Sequence, residues 1–129
     1  MALRCLIVDD NAEFLVAARD LLERQGVAVV GVASTSARAL VLAQELRPDV
    51  TLVDIDLGAE TGFDLALRLA ESTGLEDMRI VLISAYGEAD LADLIAASPA
   101  VGFLSKPILS RPAIESVLER AGPTERRGR

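Results

Sequence analysis

The chain has 129 residues, of which 51% are hydrophobic and 26% are charged, a balance that predicts one globular domain and excludes a disordered chain. Its 20 acidic residues outnumber its 13 basic ones, and the net charge of −7 disfavours nucleic acid and anionic membranes as partners. The apolar runs are too short for a membrane span or an export signal, so we expect a cytoplasmic protein.

Five apolar runs alternate with five amphipathic segments along the chain. The predicted strands, each a nearly continuous apolar run, are 3–8, 27–33, 50–54, 79–84 and 101–104. The predicted helices, which end near glycine or proline, are 13–25, 63–71, about 88–97 and about 111–121, with one more that has candidate N-caps at 34–36 and ends before Pro48. Apolar strands of this kind are covered on both faces. The pattern therefore predicts an α/β fold with a doubly wound, five-stranded parallel sheet between two helix layers.

Three residue types are informative by their scarcity. The chain has no histidine, which excludes histidine-dependent catalytic triads and histidine metal ligands. Its single cysteine, Cys5, lies within the first apolar run and is expected to be a buried thiol. Its single lysine is Lys106, which directly follows the fifth predicted strand.

Polar side chains are found where the predicted strands end. Asp9 and Asp10 follow the first strand, Asp54 ends the third, Ser84 ends the fourth, and Lys106 follows the fifth. The carboxyl ends of parallel strands meet at one edge of a sheet, so we expect these residues to form one site. Clustered carboxylates favour a hard cation such as Mg²⁺. Each residue alone suggests only a helix cap, a turn hydroxyl or a solvated lysine. Together they predict phosphoryl chemistry, with Asp54 as the nucleophile that forms an acyl phosphate.

Four motifs, in this order and spacing, resemble the receiver domains of two-component response regulators. They are IVDD at 7–10, LVDIDL at 52–57, SA at 84–85 and FLSKP at 103–107. The resemblance extends from residue 3 to about residue 118. It implies a CheY-like, flavodoxin-like (βα)5 receiver domain at residues 1–121. The charged composition beyond Ala121 predicts a disordered tail at 122–129.

The resemblance also implies a role for each residue of the site. Asp54 is expected to accept a phosphoryl group from a histidine kinase, and Ser84 and Lys106 to contact that group. Mg²⁺ is the implied cofactor, with no other cofactor-binding residues. Its expected ligands are Asp9, Asp10, Asp54 and the backbone carbonyl of Asp56.

Two further residues have roles implied by the resemblance. Phe103 is expected to be an aromatic switch that rotates as Ser84 moves, although plain core packing is an alternative for this side chain. The bond between Lys106 and Pro107 is expected to be cis. Phosphorylation is then expected to alter the face formed by the fourth helix, the fifth strand and the fifth helix.

A receiver of this kind is a signalling switch rather than an enzyme, apart from its own phosphorylation and dephosphorylation. Its expected partners are a sensor histidine kinase or phosphotransfer protein and a downstream protein, with a homodimer through the switch face as another option. Since no helix-turn-helix follows the fifth helix, we expect no direct contact with nucleic acid, and the net charge of −7 argues against membranes. A stand-alone receiver is favoured over a fragment of a longer regulator.

The chain departs from the common receiver pattern in two places, and other protein classes share parts of it. Gly58 stands where many receivers have proline, and residues 98–102 replace a commoner Gly-Ala turn. Asp56 and Tyr86 flank the acceptor, where they are expected to tune the phosphoryl lifetime. A haloacid-dehalogenase-like phosphatase, a flavodoxin-like cofactor binder and a receiver that is never phosphorylated are the alternatives. In the phosphatases the nucleophile follows the first strand and the aspartate pair comes last, whereas here the pair comes first. The pair would also repel the phosphate of a cofactor. A receiver that is never phosphorylated is disfavoured because no residue of the site is missing.

Overall fold

A five-stranded parallel sheet organises the protein, whose computed structural model describes residues 2–85 and 89–122. The strands are β1 (Arg4–Val8), β2 (Ala28–Ala33), β3 (Val50–Asp54), β4 (Arg79–Ser84) and β5 (Gly102–Ser105). Their spatial order is β2-β1-β3-β4-β5, which confirms the predicted doubly wound α/β fold. The strand order changes direction around β1 and β3, and in such sheets the crevice at that point holds the functional site.

In the described part of the chain, five α-helices cover the two faces of the sheet. They are α1 (Ala12–Arg24), α2 (Ser36–Leu46), α3 (Gly62–Glu71), α4 (Ala92–Ala97) and α5 (Arg111–Ala121). Four of them begin at a residue whose side-chain oxygen accepts a backbone N–H of the first turn: Asn11, Thr35, Thr61 and Ser110. Among residues 2–85 and 89–122, no helix has the length and apolar character needed to cross a membrane.

The fourth helix is shorter than predicted. A 3₁₀ turn occupies Ala89–Leu91, and the α-helix begins only at Ala92. Its N-cap position is Leu91, whose side chain offers no hydrogen-bond acceptor, so the start of the helix lacks the usual side-chain cap. The predicted first residue, Glu88, lies outside the described residues, as does Tyr86.

The core forms two layers because alternate residues of each strand point to opposite faces of the sheet. Cys5, Ile7 and Leu52 pack on the side of α1 and α5, whereas Leu6, Val8 and Val53 pack on the side of α2 and α3. The expectation of a buried Cys5 is confirmed: its side chain is inaccessible, and burial raises the pKa of its thiol to about 12. This thiol is therefore unreactive at neutral pH.

The segment between β3 and α3, predicted as a loop, contains a small hairpin. Asp56–Leu57 pairs in antiparallel fashion with Glu60–Thr61, and Gly58 makes the turn with φ of +78°. The Leu57 side chain is buried in the α2/α3 layer, which anchors the hairpin to the core. At the other end of the domain, Gly122 is the C-cap of α5, and the rest of the predicted tail lies outside the described residues.

Candidate functional site

A pocket of about 200 Å³ lies at the carboxyl ends of β1, β3, β4 and β5. It brings together the strand-end residues identified in the sequence, which come from four segments of the chain. Its lining residues are Asp9, Asp10, Asn11, Asp54, Asp56, Ser84, Ala85 and Lys106. The parallel sheet therefore joins at one rim residues that are up to 97 positions apart, from Asp9 to Lys106.

Asp54 is a nearly buried carboxylate at the end of β3, with 5% of its surface exposed. Burial raises the pKa of Asp54 to about 6, and the nearby charge of Asp9 acts in the same direction. A hydrogen bond from the backbone N–H of Asp56 (3.1 Å) and the ammonium of Lys106 oppose this rise. Asp54 is therefore ionised at neutral pH but in an environment that favours added positive charge.

The Lys106 ammonium lies between two carboxylates. Its Nζ is 2.6 Å from Oδ2 of Asp9 and 3.0 Å from Oδ2 of Asp54. Desolvation lowers the pKa of Lys106, but the bonds to Asp9 and Asp54 outweigh it, so the net effect is a raised pKa. The side chain is thus a fixed positive charge at the pocket. The same Nζ lies 4.4 Å from the centroid of the Phe14 ring.

Three carboxylates of the pocket suit a hard divalent cation. One carboxylate oxygen each from Asp9, Asp10 and Asp54 lie within 4.8 Å of one another. Oδ2 of Asp9 is fully buried and lies 2.6 Å from the Lys106 ammonium, so a negative oxygen faces the pocket away from bulk water. Asp10 is exposed, so the cluster opens to solvent. Oxygen ligands of this number and charge, completed by water, are those that Mg²⁺ prefers.

The hairpin after β3 borders this carboxylate cluster. Asp56 donates its backbone N–H to Oδ1 of Asp54, and its own Oδ1 accepts the N–H of Gly58 at 3.1 Å. A Cβ at Gly58 would lie 3.3 Å from Oδ2 of Asp10, so glycine leaves the carboxylate room on that side. The residue that stands in place of the usual proline therefore lies directly beside the predicted metal ligands.

Ser84 and Phe103 occupy neighbouring strands. Ser84 ends β4, is 1% exposed and lines the pocket. Phe103 lies in β5, where its ring is buried in the α2/α3 layer together with Leu82. Leu91 and Ile95 pack against the same layer, so the ring lies in a layer that reaches the start of α4.

The expected cis bond before Pro107 is wrong: the described residues contain no cis peptide bond. Pro107 lies in the first positions of a 3₁₀ turn, Lys106–Ile108, where the N–H that proline lacks has no partner to lose. The turn closes through the N–H of Leu109, which donates to the carbonyl of Lys106 at 3.1 Å. The trans form, intrinsically favoured by about 0.5–1 kcal/mol before proline, fits this turn.

Two residues near the site are absent from the sequence-based set. Helical spacing places Phe14 on the apolar face of α1. The contact of Phe14 with Lys106 has no sequence signal of its own, except that Phe14 comes one helical turn after Asp10. Gly62 is the first residue of α3, and a Cβ there would lie 2.1 Å from the carbonyl oxygen of Asp54. Its only signal is a glycine at the predicted start of a helix.

Comparison with known proteins identifies the family. The response regulator receiver domain matches residues 5–119. The chemotaxis protein CheY of Thermotoga maritima is 26% identical over 117 residues, which cover 91% of this chain and 96% of that protein. The transcriptional regulatory protein PdtaR of Mycobacterium tuberculosis is 28% identical over 120 residues, which cover 91% of this chain but 57% of PdtaR. The chain thus spans little more than half the length of that relative.

Solved structures agree with this match. The signal receiver domain of a modulated diguanylate cyclase from Desulfovibrio desulfuricans superposes with a TM-score of 0.77 and 30% identity, covering 94% of this chain and 97% of that one. Receiver domains of this family are signalling switches. The phosphatase and cofactor-binding alternatives find no support in these matches. The chain belongs to the receiver-domain family of response regulators.

Proposed function

We propose that this receiver accepts a phosphoryl group on Asp54 from the histidine of a sensor kinase or phosphotransfer protein, in a Mg²⁺-dependent reaction in the cytoplasm. The observation that carries the proposal is the joint placement of a buried acceptor carboxylate, an ammonium 3.0 Å from it, and two more aspartates whose oxygens lie within 4.8 Å. Each of these groups supplies one requirement of phosphoryl transfer: the carboxylate is a nucleophile, the ammonium is a fixed positive charge, and the three aspartates together form a cation-binding site.

The acceptor carboxylate is oriented for attack by its two hydrogen bonds. Oδ1 of Asp54 accepts a hydrogen bond from the backbone N–H of Asp56, and Oδ2 accepts one from the Lys106 ammonium. In the reaction an oxygen of Asp54 forms a bond to phosphorus while the phosphorus–nitrogen bond of the donor histidine breaks. The electron pair of that bond stays on the departing imidazole. The product is an acyl phosphate.

The remaining residues of the pocket stabilise the charge of the transferred group. Lys106, held beside Oδ2 of Asp54, is placed to pair with a phosphoryl oxygen, and Ser84 supplies a hydroxyl at the same rim. Asp9, Asp10, Asp54 and the backbone carbonyl of Asp56 would hold Mg²⁺. When bound, that ion would neutralise part of the negative charge on the phosphoryl oxygens.

The output step uses Ser84 and Phe103. When Ser84 turns toward the new phosphoryl group, space opens for the Phe103 ring. Leu91, the N-cap of α4, and Ile95 within α4 pack against the core layer that holds this ring. The affected face is formed by α4, β5 and α5. It displays exposed apolar side chains at Leu94 (54%) and, in the link before α5, Ile108 (59%). A downstream protein or a second copy of the chain would read this face.

The proposal is tested by phosphorylation with a small-molecule donor such as acetyl phosphate. We expect the wild type to gain one phosphoryl group in the presence of Mg²⁺ and to gain none with EDTA, as read by intact-mass spectrometry. Asp54→Asn should gain none, whereas the control Asp20→Asn, which alters an exposed aspartate of α1, should label as the wild type does. Full labelling of Asp54→Asn would exclude Asp54 as the acceptor.

A further inference from the structure

A closed set of contacts links Lys106 to the start of α1. The N–H of Asn11 donates to Oδ1 of Asp9 at 2.8 Å, and Oδ1 of Asn11 accepts the N–H of Phe14 at 3.1 Å. The Phe14 ring lies 4.4 Å from Nζ of Lys106, and that Nζ lies 2.6 Å from Oδ2 of Asp9. The contacts therefore return to the residue from which they start. Phe14 is thereby fixed in relation to the same carboxylate that pairs with the lysine.

The ammonium needs more than its two carboxylates to stay in one place. Lysine carries its charge on a flexible four-carbon stem with freely rotating N–H donors. Asp9 and Asp54 attract it toward the pocket, but the side chain retains 18% exposure and could turn toward solvent. The electron-rich face of an aromatic ring attracts a cation at this distance while it excludes water. The Phe14 ring therefore adds a third attraction to those of Asp9 and Asp54.

We propose that Phe14 is a positioning residue for Lys106. The Phe14 ring holds the ammonium beside Asp54, at the place where the ammonium would pair with a phosphoryl oxygen. The inference rests on the proposed function of the site, because it assigns Phe14 a part in the same phosphoryl transfer. Phe14 is not among the residues that line the pocket, so its part is to hold Lys106 rather than to contact the phosphoryl group. Leucine at this position would fill similar space against the core but would offer no aromatic face to the cation.

The single lysine of the chain allows a direct test of this placement. Protein grown with ¹³C,¹⁵N-lysine gives NMR signals from Lys106 alone, and protons over a ring face are shifted upfield. We expect an upfield shift of the Lys106 Cε protons in the wild type and in Phe14→Tyr, which keeps the ring. Phe14→Leu should lose that shift. Phe63→Leu, a partly buried phenylalanine in the opposite core layer, is the matched control and should keep it.

The second measurement is the rate of phosphorylation by acetyl phosphate with Mg²⁺. We expect Phe14→Leu to react about three- to tenfold more slowly, from the usual strength of a cation–π contact, and Phe14→Tyr to react near the wild-type rate. Thermal unfolding of each variant shows whether the variant is folded at the temperature of the assay, so that rates are compared only between folded proteins. A slowed Phe14→Leu with an unchanged Lys106 shift would overturn the positioning role, as would an unchanged rate with a lost shift. Absence of labelling in the wild type would instead refute the proposed function, which keeps the two failures distinct.

Discussion

Substitution of Gly62 by alanine is the sharpest test of how α3 is joined to Asp54, the proposed acceptor. A Cβ at Gly62 would lie 2.1 Å from the carbonyl oxygen of Asp54, 2.8 Å from its carbonyl carbon and 2.9 Å from Cα of Ile55. All three atoms belong to the backbone, so rotation of a side chain cannot relieve the contact. Close carbon–oxygen contacts in proteins begin near about 3.3 Å, which requires the start of α3 and the end of β3 to separate by roughly 1 Å.

This separation has two costs that can be measured separately. Leu65, Ala66 and Leu69 are fully buried, so α3 cannot retreat without losing core packing, and overpacking of this kind destabilises by about 1–3 kcal/mol. A displacement of the acceptor by about 1 Å lowers reaction rates by as much as about 100-fold. We therefore expect Gly62→Ala to lower the free energy of unfolding in urea and to slow labelling by acetyl phosphate.

Gly31→Ala is the matched control for this experiment. It adds the same methyl group in β2, where the nearest atom, at 3.0 Å, is the end of the flexible Leu46 side chain. Its labelling rate should stay near that of the wild type. Wild-type stability together with a wild-type labelling rate in Gly62→Ala would refute the argument, because the contact would then have been absorbed without moving Asp54.

Three other changes test the core, the electrostatics and the lysine. Leu65→Ala should lower the free energy of unfolding by about 3–5 kcal/mol because the side chain is fully buried, whereas Leu67→Ala, with 49% exposure on the same helix, should change it far less; urea titration compares them. Without Mg²⁺, the pKa of Asp54 is about 6 in the folded protein against 3.8 when unfolded, so the fold favours the neutral acid. This group's contribution to stability is therefore fully present below about pH 4 and is lost progressively as the pH rises from about 4 through 6. Asp54→Asn should therefore gain stability relative to the wild type between pH 4 and 7, by at most about 3 kcal/mol, and a constant difference across this range would contradict the assignment. Lys106→Arg should impair the response to phosphorylation, because a planar guanidinium does not replace a compact charge placed between two carboxylates; an unaltered change in the amide NMR spectrum on adding beryllofluoride would count against this role.

The strands were predictable because their burial leaves a strong pattern. β3, β4 and α5 have the predicted bounds, and each strand ends where an apolar run meets a polar residue. The order of these elements is enough to derive a parallel sheet, and a parallel sheet brings its strand ends to one rim. The gathering of Asp9, Asp54, Ser84 and Lys106 therefore follows from periodicity and topology.

Features that depend on local geometry were not predictable in the same way. The hairpin strands Asp56–Leu57 and Glu60–Thr61 have two residues each, too few to show an alternating pattern. Pro107 lies in a 3₁₀ turn and follows a trans bond, and no sequence pattern indicates that turn. The contact of Phe14 with Lys106 joins residues 92 positions apart, and an apolar side chain on a helix gives no sign of the cation it will meet.

The first helix is connected to one short stretch of chain at both of its ends. Near its beginning the Phe14 ring contacts Lys106, and at its C-cap Gln25 accepts hydrogen bonds from the backbone N–H (2.6 Å) and the guanidinium (2.9 Å) of Arg111. Neither end of α1 is therefore free to fray independently of the segment that enters α5. Opening fluctuations in this part of the domain should involve α1 and the first turn of α5 as one cooperative unit.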